Sequence, residues 1–211
     1  MTKAQLLEYW QHQHFDSKLL DVFTHIPREN FVPSHLKPLA YLDQPLPTAR
    51  QQSISQPSTV MAMLQALDVQ PGQSVFEVGA GAGYQAALLS LLVGKMGKVI
   101  SLDVVPELIT AAKDNLASLG LDNVIILEGD GAQGHHQLAP FDRIIITCAC
   151  PTIPQPLIDQ LSEGGIIVAP VGDLRSQMMV RGIKVNGKLD LDFLGTFMFV
   201  PMKGKYGFAE I

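Results

Sequence analysis

The sequence is short of cysteine, of charge and above all of basic residues. Its 211 residues contain two cysteines, too few for the disulfide framework of a small secreted protein. Charged residues make up 17% of the chain, whereas about 25% is typical of a soluble domain. The 15 Lys and Arg are outnumbered by 20 Asp and Glu, so the formal net charge is −5. This balance argues against a nucleic-acid partner, because binding phosphates needs a basic face.

Long apolar runs are missing as well. No uncharged stretch of about 18 apolar residues, the length that spans a bilayer, is present, and no membrane partner is expected. The N-terminal segment MTKAQLLEYWQHQHFD lacks the cationic-then-apolar order of a signal peptide. We therefore expect a cytoplasmic protein. Apolar residues still account for 47% of the chain, which is enough for a packed core and is inconsistent with disorder.

The sequence pattern of the chain changes near residue 70. Before this point, helical patterns cover 3–14, 16–25 and 57–67, while the proline-rich segment 33–57 is typical of an extended loop. After it, short Val- and Ile-rich runs alternate with helical segments. The chain contains no repeat and no Gly/Ser linker. We therefore expect a single domain over 1–211, formed by an N-terminal helical and substrate-loop extension over 1–70 and a cofactor-binding core with a C-terminal hairpin over 71–211.

The second part of the chain has the alternation of an α/β fold. Predicted strands cover 74–78, 98–103, 123–128, 143–148 and 165–170, and predicted helices cover 84–93, 106–119 and 154–161. Buried strands that alternate with helices indicate a parallel sheet with right-handed crossovers and helices on both faces. The segment 177–200 predicts an antiparallel hairpin around an Asn186-Gly187 turn. The predicted fold is a doubly wound, mostly parallel sheet with a C-terminal antiparallel hairpin and a small N-terminal helical extension.

A glycine-rich loop follows the first strand of this core. Gly79, Gly81 and Gly83 lie in the run EVGAGAGY, where glycines let the backbone turn sharply and let a ligand approach the main chain. The order G-x-G-x-G differs from the dinucleotide fingerprint G-x-G-x-x-G, because Tyr84 stands where the third glycine should be. Glu77, just before the loop, would repel a pyrophosphate and would suit a cationic amino group.

Acidic residues follow the next two strands. Asp103 ends the second strand of the core, and Asp130 lies between Gly129 and Gly131 after the third. Ligands of open α/β sheets bind beyond the carboxyl ends of the strands, where these residues and the glycine loop should meet. Two alternatives stay open. Glycines at such a turn also serve packing alone, and Asp103 also suits the ribose of a nicotinamide or flavin cofactor.

The run E-x-G-x-G-x-G resembles the first motif of the S-adenosylmethionine-dependent methyltransferases, which have a Rossmann-like sheet. In that setting Asp103 would accept hydrogen bonds from the ribose hydroxyls, and Asp130 would accept one from the adenine amino group. The implied cofactor is S-adenosyl-L-methionine, with S-adenosyl-L-homocysteine as its product, and no metal is expected.

Further segments carry a more specific resemblance. They are IPRENFVP at 26–33, YLDQPLP at 41–47, SISQP at 53–57 and IPQPLIDQL at 153–161. In this order, over nearly the whole chain, they look like the protein-L-isoaspartate O-methyltransferase family. The resemblance implies methyl esterification of the α-carboxylate of L-isoaspartyl residues and, less well, of the β-carboxylate of D-aspartyl residues. This reaction initiates the repair of damaged proteins and peptides, which would be the substrates of a monomeric enzyme.

The resemblance also assigns site residues. Ser55 stands at the position of the active-site serine and would donate a hydrogen bond to the substrate carboxylate. The implied cofactor-binding residues are Gln52, Ser53, Ile54, Ser55, Val60, Glu77, Gly79, Gly81, Gly83, Asp103, Asp130 and Gly131. The C-terminal segment 200–208 would lie over the site. Without the resemblance, Ser55 would be interpreted as a cap for the helix that begins at Pro57.

The loop before Ser55 departs from the family pattern. Ala49 and Gln51 replace two glycines; if the loop needs a positive φ at either position, a non-glycine residue there costs about 1–2 kcal/mol. This departure keeps two alternatives open, namely a methyltransferase acting on another carboxylate acceptor and a non-catalytic cofactor-binding relative. Arg50 is either a solvated loop charge or an attraction for an acidic peptide. Cys148 and Cys150 are expected to be buried free thiols.

Overall fold

The computed structural model describes residues 1–208. Within them the α-helices are α1 Lys3–His12, α2 Ser17–His25, α3 Pro57–Leu67, α4 Tyr84–Val93, α5 Pro106–Ser118 and α6 Gln155–Gln160. The strands are β1 Leu46–Pro47, β2 Ser53–Ile54, β3 Ser74–Val78, β4 Lys98–Asp103, β5 Val124–Glu128, β6 Phe141–Ile146, β7 Leu161–Gly172, β8 Gln177–Val185 and β9 Lys188–Phe197. In the same range, no helix is both long and apolar enough to cross a membrane.

Seven strands form one sheet in the order β5-β4-β3-β6-β7-β8-β9. The contacts from β5 through β7 are parallel, whereas β7, β8 and β9 pair antiparallel. Adjacent residues of β3 face opposite sides of the sheet. Val75 belongs to a core cluster with α1 to α5, and Phe76 belongs to a second cluster with α6. The sheet is therefore covered on both faces, as expected for an α/β fold.

The N-terminal helices begin at side-chain caps that the sequence supplies. Thr2 and Gln5 form a reciprocal capping box at α1, and Asp16 accepts the Lys18 N–H at the start of α2. Trp10 of α1 is fully buried, and its indole Nε1 donates to Ser58 Oγ at 2.7 Å. This bond connects the first helix to the start of α3, beside the predicted site.

The C-terminal hairpin has the predicted turn. Asn186 and Gly187 connect β8 to β9 with φ values of 52° and 76°, as a type I′ turn requires at both central positions. The segment 33–57 is mostly irregular, with short 3₁₀ turns and the two-residue ribbon β1–β2. The predicted helices, strands and hairpin are confirmed as elements, although several of their boundaries differ.

Two boundaries differ in a way that affects the site. The strand predicted over 143–148 is β6, which ends at Ile146, so Thr147 and Cys148 lie just beyond its carboxyl end. The strand predicted over 165–170 extends over the twelve residues of β7, because β7 pairs with β6 on one side and β8 on the other. A buried apolar run predicts a strand but does not mark the residue at which pairing stops.

Candidate functional site

The glycine loop between β3 and α4 packs against its surroundings more closely than a side chain would allow. Gly79 has a φ of 96°, and a Cβ there would lie 2.4 Å from Thr147 Oγ1. Gly83 has a φ of 91°, and a Cβ would lie 3.2 Å from the Cα of Ala112 in α5. Positive φ and close approach both require glycine here. The loop therefore packs α4 against α5. Its glycines allow a ligand to come close to the main chain, whose N–H groups at Gly79, Gly81 and Gly83 are bonded within the protein.

Asp103, at the end of β4, is fixed by the neighbouring backbone. One carboxylate oxygen accepts the Gly81 N–H at 2.8 Å, and the other accepts the Val105 N–H at 3.0 Å. A carboxylate has about four lone-pair sites, so each oxygen keeps capacity for a further donor. The residue lines a cavity, which makes it a pre-oriented acceptor for ligand hydroxyls.

Three cavities adjoin this loop. The central cavity lies between Gly79, Gly81, Asp103 and the C-terminal segment 200–203. The inner cavity lies between the glycine loop 79–82, the start of α4 and the segment 53–55. The outer groove lies between the first helix, the segment 55–59 and the segment 196–200. The outer groove is the largest, about 1500 Å³ against 590 and 430 Å³ for the other two.

Ser53 and Thr147 line all three cavities. The Thr147 hydroxyl lies within hydrogen-bond distance of the carbonyl oxygens of Val78, at 2.9 Å, and Gly79, at 2.7 Å. Ser55 lines the inner cavity and the outer groove. The three spaces therefore meet at hydroxyl-bearing residues, and a molecule in the outer groove can reach one in the inner cavity only past them.

Ser55 is not the cap of α3. The residue at the N-cap position is Gln56, whose side chain makes no capping bond. Asp43 takes this role instead, because its carboxylate accepts both the N–H and the hydroxyl of Ser58 at 2.8 Å. The capping interpretation of Ser55 is therefore wrong. Its hydroxyl lies at the edge of the cavities and does not cap α3.

A buried arginine holds the Ser55 backbone. Arg28 is fully buried; its Nε donates to the Ala40 carbonyl and its Nη2 to the Ser55 carbonyl, both at 2.8 Å. The guanidinium carbon lies 5.0 Å from the ring centroid of Tyr84. Burial lowers the pKa of Arg28, and the carbonyls and the aromatic ring offset the cost of burying its charge. The family-like segment 26–33 is thus physically connected to the Ser55 loop.

The loop before Ser55, in which Ala49 and Gln51 replace two family glycines, contains residues in the left-handed backbone conformation. Arg50 has a φ of 55° and Gln51 a φ of 59°, each costing about 1–2 kcal/mol for a non-glycine residue. One of the two replaced positions, Gln51, is affected; Ala49 is not. The Arg50 side chain is bound to Glu107 at the start of α5, with Nε to Oε1 at 2.8 Å. Arg50 is therefore part of an exposed ion pair that bridges the loop to α5 beside the central cavity.

Nine of the twelve predicted cofactor residues line a cavity. The central cavity has Gln52, Ser53, Gly79, Gly81, Asp103 and Gly131; the inner cavity has Ser53, Ile54, Ser55, Val60, Gly79 and Gly81. Glu77, Gly83 and Asp130 are not among the lining residues. The Asp130 carboxylate instead accepts the N–H groups of Ala132 at 3.0 Å and Lys205 at 2.8 Å, and so fastens the C-terminal segment beside the central cavity.

Glu77 belongs to β3, just before the glycine loop, and its side chain does not reach the cavities. It is fully buried, its Oε2 accepts the Ser101 hydroxyl, and its Oε1 has no hydrogen-bond partner among residues 1–208. Burial raises the pKa of Glu77 to about 8, helped by the negative charge of Asp103 and opposed by the Ser101 hydrogen bond. A carboxyl group in this setting is mostly protonated at neutral pH.

Sequence reasoning missed Thr147 and Gln85. Each is a polar residue in an apolar run, IIITCAC and YQAALL respectively, and each follows the carboxyl end of a strand, directly or across the glycine loop. That polarity was the available signal. Cys148 lines the central cavity, and burial raises its pKa above the normal thiol range. Both cysteines are free, and the described residues contain no cluster of three or more potential metal ligands.

Comparison with protein families gives one match over almost the whole chain. The model described as protein-L-isoaspartate(D-aspartate) O-methyltransferase (PCMT) matches residues 1–207. A protein-L-isoaspartate O-methyltransferase 2 of Archaeoglobus fulgidus is 41% identical over 201 residues, covering 95% of this chain and 92% of its own. A protein-L-isoaspartate O-methyltransferase of Methanocella arvoryzae is 45% identical over 183 residues, covering 87% and 97%.

Solved structures agree with this match. A protein-L-isoaspartate O-methyltransferase superposes with a TM-score of 0.88 at 28% identity, covering 98% of this chain and 67% of its own. A Plasmodium falciparum structure in complex with S-adenosyl-L-homocysteine superposes with a TM-score of 0.83, covering 94% and 97%. At 24% identity, the second comparison supports the fold alone.

Proposed function

This chain belongs to the protein-L-isoaspartate O-methyltransferase family, and on that premise we propose which of its residues perform the reaction. The activity is S-adenosylmethionine-dependent methylation of isoaspartyl residues, which serves protein repair. The observation that carries the residue assignment is the meeting of three cavities at Ser53 and Thr147, with Ser55 between the inner cavity and the outer groove.

The cofactor would lie across the central and inner cavities. The residues fit such a group: the glycine loop offers a close backbone approach, Asp103 keeps acceptor capacity, and Gln85 has an unpaired buried amide among the described residues. Asp103 would accept the ribose hydroxyls, with Gly131 beside the adenine. Gln52, Ser53, Ile54 and Val60 would form the opposite wall. Glu77, Gly83 and Asp130 would act from behind these residues, by fixing the sheet, the helix packing and the C-terminal segment.

The reaction requires little acid–base catalysis by the protein. When bound, the cofactor supplies a methyl group on a positively charged sulfonium, for which the leaving group is a neutral thioether. The isoaspartyl carboxylate has an unperturbed pKa near 4, so it is an anionic nucleophile at neutral pH and needs no general base. What the residues contribute is position and exclusion of water, which can lower a barrier by about 7–11 kcal/mol.

Ser55 is the residue that would orient the substrate carboxylate. Its hydroxyl is a neutral donor, which can hold the carboxylate without neutralising it as a nearby lysine would. Arg28 donates to its carbonyl, so a buried contact holds the backbone from which the hydroxyl projects. A donor held in this way orients the nucleophile without moving a proton.

The outer groove would take the polypeptide. Its lining includes the aromatic residues Tyr9, Phe15, Phe197 and Phe199, and no charged side chain among the residues that the structure describes. The groove opens past Ser55 and Thr147 into the inner cavity. An uncharged groove suits a chain whose one required charge, the isoaspartyl carboxylate, is presented at its inner end.

The direct test is methylation of an isoaspartyl peptide beside its normal aspartyl twin, with radiolabelled cofactor. Labelling of the isoaspartyl peptide alone is expected, and equal or absent labelling of both contradicts the assignment. Ser55→Ala should lower kcat/KM about tenfold to a hundredfold, the equivalent of one hydrogen bond to a charged group, while the affinity for S-adenosylhomocysteine stays unchanged. Ser118→Ala, an exposed hydroxyl deletion on α5, is the matched control.

We also propose that the enzyme is a single domain, monomeric and cytoplasmic, and that it accepts D-aspartyl residues less well. One apolar cluster contains Trp10 and Phe23 of the N-terminal extension together with Val75 and Val168 of the sheet, which supports one folding unit. A single cooperative unfolding transition and a monomeric mass by light scattering are expected. Two separate transitions would contradict the single domain, and a stable dimer would contradict the monomer.

A further inference from the structure

The last strand of the sheet, β9, has an outer edge to which no described strand is paired. It pairs with β8 alone. The turn between β8 and β9 has two residues, so the residues that flank it form a hydrogen-bonded pair, and such pairs alternate along the ladder. By this alternation, Leu189 and Leu191 turn their N–H and C=O groups away from β8. The edge therefore offers main-chain donors and acceptors to an extended chain.

The side chains of β9 give the two sides of this edge different characters. Leu191 and Phe193 are apolar and are 41% and 67% exposed. Asp190 and Asp192 alternate with them, so they project from the opposite face of the sheet, where both are exposed. Asp192 lies 3.6 Å from Arg181, whereas Asp190 has no ion-pair partner among residues 1–208. A chain added to this edge should therefore alternate apolar residues with basic or uncharged ones.

The edge continues into the outer groove. Thr196 and Phe197, the last residues of β9, line that groove together with the segment 198–200. Ser55 lines the same groove. A polypeptide whose isoaspartyl residue lies at Ser55 therefore meets the edge of β9 when its chain leaves the groove on this side. The ten residues of β9 extend over about 30 Å, at about 3.3 Å per residue.

A second copy of this chain fits the edge less well than a substrate does. Antiparallel pairing of two copies about Leu191 would place Asp190 of one copy directly opposite Asp192 of the other. Like charges in directly opposite positions destabilise a strand pair. A substrate chain carries no such constraint, and its continuity with the groove favours it as the occupant.

We propose that the free edge of β9 binds the substrate chain by antiparallel strand addition, using the residues that follow the isoaspartyl residue. Antiparallel pairing continues the pattern of β7, β8 and β9 and is slightly more stable than parallel pairing. Because β9 runs toward the groove, a chain antiparallel to it runs away from the groove. The residues on the edge are then C-terminal to the isoaspartyl residue. This inference rests on the proposed placement of the polypeptide in the outer groove.

Methylation kinetics with four peptides test this proposal. The parent is a short isoaspartyl peptide. The other three add about eight residues at about 3.3 Å each: alternating Val and Lys at the C-terminus, the same extension at the N-terminus, or alternating Val and Glu at the C-terminus. The C-terminal Val/Lys extension should lower KM about tenfold with little change in kcat. The other two should change KM less than about threefold, because one does not reach the edge and the other meets Asp190.

Two variants of the edge test the same contact from the enzyme side. Leu191→Pro removes an outward N–H and no bond to β8, and proline is tolerated at such a position of an edge strand. It should raise KM for the C-terminal Val/Lys peptide about fivefold and leave the parent peptide unaffected. Phe193→Thr keeps the backbone donors, loses an apolar contact and should raise that KM about threefold. Val185→Thr, an exposed apolar position at the end of β8, is the matched control.

The inference would be overturned by an equal KM for the parent and its C-terminal Val/Lys extension, or by an equal gain from the N-terminal or the Val/Glu extension. An unchanged KM in both edge variants would also overturn it. So would a wild-type dimer in light scattering that Leu191→Pro dissociates, because the edge would then belong to a second copy. Thermal unfolding of Phe193→Thr should match the wild type, which separates a lost contact from a damaged fold. Failure of the wild type to methylate the parent peptide would overturn the proposed function itself, so the two failures are distinguishable.

Discussion

As pH rises, the unliganded wild-type protein should lose unfolding free energy because of Glu77. The Glu77→Gln variant should not show this loss. Glu77 is fully buried, and burial raises its pKa to about 8 from an ordinary value of 4.5. In the native state the carboxyl group keeps its proton over a pH range in which the unfolded chain has lost it. Folding must therefore take up a proton between these two pKa values.

The sign and size follow from the two pKa values. A group whose folded pKa is raised contributes its full stability below the unfolded value of 4.5 and loses it as pH rises toward 8. A tenfold difference in acidity between the folded and unfolded states corresponds to about 1.4 kcal/mol. Between pH 5 and pH 8 the wild type should therefore lose about 3 kcal/mol that Glu77→Gln does not lose. Glutamine has nearly the same shape and no proton to take up.

Urea denaturation followed by circular dichroism at several pH values measures this difference. The quantity of interest is the unfolding free energy of Glu77→Gln minus that of the wild type, because other titrating groups cancel in it. Glu128→Gln, at the exposed end of β5, controls for the change from carboxylate to amide. A difference between Glu77→Gln and wild type that is the same at pH 5 and pH 8 would refute the buried, protonated state of Glu77.

Two further predictions concern the loop that carries Ser55. Arg28→Met removes the donors to the carbonyls of Ala40 and Ser55 and should cost about 2–4 kcal/mol of unfolding free energy. In the same variant kcat should fall more than the affinity for S-adenosylhomocysteine. Equal losses in both would contradict the positioning role of Arg28. Arg50→Ala breaks the ion pair to Glu107 beside the central cavity, so S-adenosylhomocysteine should dissociate about two- to threefold faster at low salt. Stopped-flow measurements in high salt should abolish that difference, and a difference that persists there would mean that the pair is not the cause.

The sequence predicted the parts of the site that depend on backbone conformation. Glycines at a strand-to-helix turn and an aspartate at the end of the next strand must meet in a parallel sheet, because the carboxyl ends of the strands share one edge. Gly79, Gly81 and Asp103 therefore lie where the pattern indicated. The Asn186-Gly187 hairpin was predictable for the same reason, since its backbone conformation follows from the residue types.

The parts that the sequence did not predict depend on packing, which spacing does not encode. Glu77 and Asp130 belong to the same motifs as the lining residues, yet neither lines a cavity. Glu77 is buried against Ser101. Asp130 accepts three protein donors and is covered by Gly204 of the C-terminal segment. The loop before Ser55 shows the same limit. The resemblance raised the question of positive φ at Ala49 or Gln51, and the structure has it at Gln51 and at the neighbouring Arg50, whose side chain contacts Glu107 of α5.

On the proposed assignment, the outer groove and the inner cavity would hold the substrate carboxylate with neutral donors, because no charged residue lines either of them among the residues described. A carboxylate that leaves water for a groove without cations keeps its nucleophilicity but must still be hydrogen-bonded, or its burial would be prohibitive. Ser55 lies where the groove meets the inner cavity, and the Thr147 hydroxyl is already turned toward the carbonyls of Val78 and Gly79. The nearby positive charge of Arg28 does not line the groove. It is buried and bonded to the backbone carbonyl of Ser55. If Ser55 is the donor, a buried cation fixes its backbone without facing the substrate. Positioning would then be separate from neutralisation in a reaction whose nucleophile is itself an anion.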